Sequence, residues 1–581
     1  MAKHWRIRPH DPDRIGRLQR SANIPSVVAQ LLICRGISDP TVASEFLDPK
    51  LSDLRDPNLL PGCTDAAKLL HEAIQARRRI VVYGDYDADG MTGTAILQKC
   101  LTLLGADVGY HIPSRLEDGY GLKHEAVRAL AKQNTQMIVT VDCGIASVAE
   151  AHTARELGVD LIVTDHHQPG SELPQAAAVV HPNLPGQDYP FAGLSGSGVA
   201  LKLAWALCQQ ASGAQKVSPR MREFLVSAVG LAALGTVADV VPLVDENRVL
   251  VHHGLEKGLR QHPTLGMATL MKLTGLDDKP QLQAEDIAFT LAPRLNAAGR
   301  LGQAQLAVEL LITDRADRAE ELAKYLDGLN ETRQKLERSI QRAANKQAKE
   351  KFDPAGDAAL VLADRGWHPG VIGIVAGRLA EKYHRPVVLI SWDQMGVKPG
   401  IGSARSVPGF NLHAALEACD EHLVTHGGHA AAAGLTIEES RLDAFRADFC
   451  ERASIEISES GRVAELHIDA ETPLSAFTNK VVQQIERLAP FGEANRRPLL
   501  CTSGVTLPKP PRTIGSGDRH LSMELAQHGV TLRGVAFGGG DWLDDLSSLT
   551  GPIDVAFRPV INTFRGRHNV ELHVVDWRGG K

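Results

Sequence analysis

The sequence predicts an α/β protein of several domains, with a parallel-sheet domain, a long helix leading to a second α/β unit, and a C-terminal antiparallel β-barrel. Three observations carry this prediction. Aliphatic runs alternate with helical stretches from residue 71 to about residue 183, the pattern of parallel strands wrapped by helices. The stretch from Asp314 to Lys351 lacks proline, has one glycine, and spaces Leu322, Leu326, Leu329, Leu336 and Ile340 as one helix face does. Beyond residue 463, short runs alternate polar and apolar residues between turns containing Gly or Asn.

In chain order, residues 1–70 hold short amphipathic pieces such as SVVAQLLICRGI and read as an extension packed on the parallel-sheet domain. That domain, residues 71–313, draws strands from RRIVVYGD, VGYHIPS, MIVTVD, LIVTDHH and AAAVVHPN, with helices between them and further helices to about residue 312. The connecting helix, residues 314–352, would run for about 55 Å at 1.5 Å per residue. Its second half is basic, and Arg338, Arg342, Lys346 and Lys349 share a face. That face is either a solvated side of a connector or one wall of a groove that tracks phosphates. Residues 353–455 begin a second α/β unit with AALVLADRGWHPGVIGIVAGRLAEKYHRPVVLISW, and residues 463–581 form the barrel.

Bulk properties narrow the function classes. With 43% hydrophobic, 23% charged and 4% aromatic residues, the composition is that of a globular enzyme. A net charge of −6 excludes a uniformly basic nucleic-acid binder and leaves room for a local basic channel. The first residues, MAKHWRIRPHDPDRIGRL, contain no apolar core of a secretion signal. The longest uncharged apolar stretch, Phe224 to Ala238, is shorter than the roughly 20 residues that span a bilayer. A cytoplasmic protein without a membrane segment is the expectation. Eight cysteines show no C-x-x-C pair and read as reduced and structural. Cys143 follows Asp142, but a soft thiolate suits zinc better than a carboxylate-rich set.

The chemistry lies where aliphatic runs end. RIVVYGDYDADG breaks at Gly84 into Asp85, Asp87 and Asp89, MIVTVD ends in Asp142, and LIVTDHH ends in Asp165, His166 and His167. A lone D-x-D is commonly a turn of solvated acids. Three such strand ends, however, share the edge from which open α/β sheets bind ligands, and hard divalent cations take oxygen and nitrogen donors. The apolar helix FLVSAVGLAALGTVADVVPL ends in Asp239, either a turn acid ahead of Pro242 or a further ligand. GSGVA at 196–200 has the wrong glycine order for a dinucleotide fingerprint and reads as a closely packed helix start.

GDYDADG, VDCG, TDHH and GTVADVVPL resemble the four motifs of the DHH phosphoesterase family, and their flanks are most similar to those of the RecJ single-strand-specific exonucleases. The resemblance implies that the parallel-sheet domain is a DHH domain and that Asp85, Asp87, Asp142, His166 and Asp239 bind two divalent ions, Mn²⁺ or Mg²⁺. Asp89, Asp165 and His167 then act beside those ligands. HIPSRLEDGYG and APRLNAAGR resemble segments along the DNA path, which makes Arg115, Tyr120, Arg294, Asn296 and Arg300 phosphate or DNA contacts. Read alone, any of these arginines is equally a surface ion-pair partner. WHPGVIGIVAGRL, GSARS and GGHAAAAG resemble the DHHA1 companion domain and add Ser403, Arg405 and His429, although a Gly/Ala-rich packing motif would look the same. LAPFGEANRRP resembles the opening of the family's OB-fold region, with Ala494 and Arg496 where the family form has Gly and Pro. Phe537, Phe557, Phe564 and Trp577 are the aromatics available there for stacking on bases, or for the core.

The implied activity is metal-dependent 5′→3′ hydrolysis of single-stranded DNA to 5′-mononucleotides in recombination and repair, mismatch repair included. Single-strand-binding protein and a RecQ-type helicase are the implied partners. A DHH phosphodiesterase of short oligonucleotides or cyclic dinucleotides and a non-catalytic replication subunit are the alternatives. The length of the chain counts against the first and the complete set of motif acids against the second.

Overall fold

The computed structural model describes residues 3–353, 357–457, 465–549, 551–564 and 566–580. The chain divides into two compact units, one of residues 1–53, 242–244 and 465–581, the other of residues 54–241 and 245–464. Strand β1 (His4–Ile7) and the helices Pro12–Ala22, Ser26–Ile33 and Pro40–Leu47 belong to the first.

The larger unit carries the parallel sheet. Strands β2 (Ile80–Tyr83), β3 (Val108–His111), β4 (Met137–Thr140), β5 (Asp160–Thr164) and β6 (Ala178–Val180) lie in the order β3-β2-β4-β5-β6, every pair parallel. All residues of β2 and β4 are buried, as strands covered on both faces require. The helix Ala88–Leu103 packs on Gly196–Ser212 and Pro219–Ala238. Pro219–Ala238 is long and apolar enough to cross a membrane by length and composition, yet its residues 228–237 are all buried within the protein.

The long helix, Ala316–Lys351, is built into its surroundings. Ile340, Ala344 and Ala348 share a core with Val371, Ile372, Val375 and Leu379 of the helix Pro369–Tyr383. Buried Glu337 pairs with Arg333 on its own helix and joins the two helices through Arg378. The second sheet comprises β7 (Leu360–Asp364), β8 (Val387–Ser391), β9 (Gly400–Arg405), β10 (Leu423–Gly428) and β11 (Ala432–Ile437) in the order β10-β11-β9-β8-β7, with only β7 and β8 parallel.

The smaller unit holds β12 (Glu465–Ile468), β13 (Ala470–Glu471), β14 (Leu500–Val505), β15 (Arg512–Ile514), β16 (His520–Gln527), β17 (Val530–Ala536), β18 (Ile553–Phe564) and β19 (Arg567–Gly579). Seven of these strands form one sheet, antiparallel except where β17 meets β19 and β13 meets β14. Thr506, just past β14, exchanges two backbone hydrogen bonds of 2.9 Å with Ala526 of β16, closing β14-β18-β19-β17-β16 on itself. Phe557 lies in the core and Trp577 packs beside it, whereas Phe537 is 62% exposed between the rings of His520 and His573. The side chain of Phe564 lies outside the described residues.

The expectation that residues 1–70 pack on the parallel-sheet domain is corrected for residues up to 53. The helix Ser26–Ile33 is apolar on every side, with Val27 to Leu32 all buried, so it needs a core around it. Leu474, Val482, Leu525 and Phe557 of the barrel unit supply that core. Strand β1 pairs with β12, and Gln30 Nε2 donates to the Asp469 carbonyl at 3.3 Å. In the LAPFGEANRRP loop, Ala494 takes φ 57°, the conformation that explains the glycine of the family form. Buried Asn495 holds the loop there, donating to the carbonyls of Leu488 and Pro490 and accepting from Arg35 Nε.

Phe557 is fully buried, so Phe557→Ala should cost about 3 to 5 kcal/mol. Urea denaturation is the check, with a lowered midpoint and an unchanged slope expected. A loss below about 1 kcal/mol would contradict the packing described.

Candidate metal centre

Three strand ends deliver the acidic groups. Val141 N donates to Tyr83 O at 2.8 Å and Asp142 N to Thr164 O at 3.0 Å, so the register of β2, β4 and β5 continues into the loops carrying the acids. Asp142 takes φ 64°, a left-handed conformation tolerated by a short polar residue, and Val240, after Asp239, takes φ 62°, a strained one for a β-branched residue. Asp87 caps the helix Ala88–Leu103, its Oδ1 accepting from the N–H groups of Asp89 and Gly90.

The residues expected as ligands come together. One ligand atom from each of Asp85, Asp87 and Asp142 lies within 4.8 Å of the others, and the same holds for Asp89, His166 and Asp239 and for Asp142, His166 and His167. His166 Nε2 is 3.0 Å from Asp142 Oδ1 and 3.5 Å from Asp239 Oδ2. Asp85 Oδ1, Asp142 Oδ1 and His166 Nε2 are buried and have no hydrogen-bond partner among the described residues. Orphaned polar atoms of this kind are costly in a protein interior, and their convergence fits a bound cation.

The electrostatics agree. Burial, then Asp87, pushes the Asp85 carboxyl well above its usual range, and burial, then Asp89, Asp87 and Asp239, does the same at Asp142. Burial and then Asp89 raise Asp87, and burial followed by the Asp89 and Asp87 charges pushes Asp239 up to about 9. Burial holds His166 below its ordinary value. A divalent cation would reverse the penalty on each carboxylate.

Asp165 and His167 form a different kind of pair. Burial alone would raise Asp165, but the hydrogen bond and charge of His167 and the N–H groups of Ile145 and His167 bring it down to about 2. Burial opposes protonation of His167, yet Asp165, 2.8 Å from Nδ1, and then Asp239 and Asp87 lift it to about 9. Tyr120 Oη stands 3.0 Å from His167 Nδ1 and donates to the Asp142 carbonyl at 3.0 Å.

Asp89 is a structural anchor, wholly buried and accepting from Gly196 N at 2.6 Å and Ser197 N at 3.0 Å at the start of the helix Gly196–Ser212. A Cβ at Gly196 would lie 2.6 Å from Asp142 side-chain atoms, so the GSGVA helix start also forms a wall of the metal centre. That role escapes sequence reading. Its only trace is a glycine next to the capping Ser195.

Beside the acids lies a cleft of about 410 Å³ lined by Tyr86, Arg115, Tyr120, Ser403 and Arg405 among others. Arg115 sits over the Tyr86 ring at 5.1 Å, and Arg405 donates to Ser403 Oγ at 3.2 Å. Arg300 donates to the Gly370 carbonyl at 3.2 Å. Burial, then the charges of Arg115, Arg405 and Arg333, depresses Arg300 to about 9, the mark of cations gathered together.

Three sequence expectations fall elsewhere. Arg294 pairs with Asp327 at 2.8 Å and donates to the Thr290 carbonyl, so the ion-pair alternative describes it. Asn296 does not face the cleft by its carbonyl, because Oδ1 accepts from Ala88 N at 2.8 Å in the acidic loop. His429 is exposed in the β10–β11 turn, and its neighbours Gly428 and Ala432, but not its ring, line the cleft. Arg338, Arg342, Lys346 and Lys349 are all exposed on the long helix.

A parallel sheet with acids and a His-His pair gathered at its strand ends, coupled to a second α/β layer, defines a DHH phosphoesterase. The DHH family N-terminal domain matches residues 79–231, the DHHA1 domain residues 356–454 and the RecJ OB domain residues 468–576. The chain is 37% identical to the single-stranded-DNA-specific exonuclease RecJ of Bacillus subtilis over 98% of its length and 70% of the relative's. Its identity to RecJ of Escherichia coli is 34% over 98% of this chain and 99% of the relative. The crystal structure of Thermus thermophilus RecJ in complex with Mn²⁺ matches the whole chain and 80% of that chain, with a TM-score of 0.84 and 35% identity. The chain belongs to the RecJ family.

The raised acids set a pH dependence. Between its ordinary value of 3.8 and about 9, folded Asp239 holds a proton that the unfolded chain has released, so stability without divalent cation falls as pH rises through that window. His167 acts in the same sense, its contribution being full below 6.5 and lost toward about 9, while Asp165 matters only as pH falls toward about 2. In chelator, the melting temperature should fall from pH 5 to pH 8, and added Mn²⁺ should raise it most at the higher pH. A melting temperature that rises with pH in chelator would contradict this reading.

Proposed function

We propose that the protein is a metal-dependent exonuclease that hydrolyses single-stranded DNA from the 5′ end to 5′-mononucleotides. The observation that carries this is the adjacency of the buried ligand cluster Asp85, Asp142 and His166, each with a side-chain atom that lacks a hydrogen bond, to a cleft lined by Arg115 and Arg405. Likeness over nearly the full chain to proteins named single-stranded-DNA-specific exonuclease supports the substrate. Complete motif acids argue against a non-catalytic subunit.

In this reading Asp85, Asp87, Asp142, His166 and Asp239 would hold two divalent ions, Mn²⁺ or Mg²⁺. Bound there, the ions supply Lewis-acid chemistry at the scissile phosphate, easing deprotonation of the attacking water and balancing charge on the departing oxygen. Asp89 ties the acidic loop to the helix Gly196–Ser212, and Asp165 fixes the ring of His167. Tyr120 holds the Asp142 backbone and presents its ring to the cleft. Arg115, Arg300, Ser403 and Arg405 grip the 5′-terminal phosphate through charge-assisted hydrogen bonds. The exposed basic face of Arg338, Arg342, Lys346 and Lys349 offers further contacts for the strand.

By family likeness the setting is recombination, repair and mismatch repair in the cytoplasm, alongside single-strand-binding protein and a RecQ-type helicase. Hydrolysis of 5′-labelled single strands, duplexes and dinucleotides with and without Mn²⁺ tests the core of the proposal. Metal-dependent release from single strands alone is expected, and equal cutting of duplex ends would refute it. Asp87→Ala should abolish cleavage while single-strand binding, read by fluorescence anisotropy, survives. Arg300→Ala should slow attack on 5′-phosphorylated strands by roughly 10- to 100-fold, the worth of a charged hydrogen bond, and affect 5′-hydroxyl strands much less.

A further inference from the structure

One helix, Ala292–Arg300, touches both the acidic loop and Gly370, a residue that lines the cleft. Asn296 Oδ1 accepts from Ala88 N at 2.8 Å, satisfying an N–H that the first turn of the helix Ala88–Leu103 leaves open. A Cβ at Gly299 would lie 2.0 Å from the carbonyl oxygen of Tyr86, the residue between Asp85 and Asp87, so only glycine allows this approach. The ring of Tyr86 meanwhile lines the cleft beneath Arg115. Arg300, the next residue, donates to Gly370 O at 3.2 Å, and a Cβ at Gly370 would lie 2.3 Å from Arg300 O. The loop, the helix and the second α/β layer are therefore locked backbone to backbone.

Resting on the functional reading above, we propose that Asn296 and Gly299 are positioning residues that set the register of cleavage. They fix the separation between the phosphate grip and the metal loop so that one nucleotide, and not two, fits between them. Asn296 and Arg300 stand about one helical turn apart, so the contact to the acidic loop and the contact to the second α/β layer are held at a fixed spacing of about 6 Å along one rigid helix. Tyr86 is the partition, its backbone clamped by the helix and its ring beneath Arg115 at the cleft. Loss of the clamp lets the loop shift against the grip without removing a ligand or a phosphate contact.

The test uses the full chain with Mn²⁺ and a single strand carrying a 5′-phosphate label, under single-turnover conditions, with released mono- and dinucleotides resolved by chromatography. Wild type should release the label as mononucleotide. Asn296→Ala should slow that release by up to about 100-fold, the cost of a misplacement of about 1 Å, and divert label into dinucleotide. Gly299→Ala should do the same, and Asn296→Asp, which keeps the acceptor, should restore the single-nucleotide product. If Asn296→Ala does not fold, Asn296→Ser is judged by the same product ratio. Mononucleotide as the sole labelled product of the alanine variants, at whatever rate, overturns the proposal. Failure of wild type to release mononucleotide would instead overturn the functional reading beneath it.

Discussion

Mutual repulsion among buried carboxylates is the constraint around which the larger unit is arranged. Asp85, Asp87, Asp142 and Asp239 each sit where burial and neighbouring acids disfavour their charge. Among the side chains, His167 and Arg115 offset only part of this, and His166 is itself driven toward neutrality. The relief comes from backbone: a capped helix behind Asp87, N–H groups of Gly196 and Ser197 on Asp89, and strand registers that continue past β2 and β4. A frame that rigid keeps the acids together in spite of their repulsion, which is the preorganisation a cation requires.

The cationic cleft solves the converse problem. Arg115, Arg300 and Arg405 are drawn together with a tyrosine ring and backbone carbonyls as neighbours. Guanidinium tolerates such crowding because it is weakly hydrated and remains charged. Opposite concentrations of charge thus lie in one unit, with the helix Ala292–Arg300 in contact with the acidic loop and with Gly370 at the cleft.

Much of this was legible in the sequence, and the reason is geometric. Parallel strands present their C-terminal ends on one edge, so Asp85, Asp142 and His166 could be assigned to one place from aliphatic runs that stop at charged residues. Asn296 and Gly299 could be seen only as part of a motif, since a side chain that meets a distant peptide group leaves no periodicity behind. Gly196 was readable as close packing but not as packing against Asp142. The helix Ser26–Ile33 read as an amphipathic piece with a face to bury, and nothing in it said that Val27 to Leu32 would all be buried or in which core. Ala494 is the opposite case, a departure from the family form whose φ of 57° keeps the conformation that the glycine would have had.

The shared core of the N-terminal helices and the barrel has a bearing on synthesis. Val27, Val28, Leu31 and Leu32 leave the ribosome well before Phe557 and Leu572, which complete their burial from a distant part of the sequence. The parallel-sheet unit has all of its strands available long before that. Between those two points the nascent chain carries an apolar helix without its partner, and its smaller unit cannot close, which leaves hydrophobic surface open to misassembly.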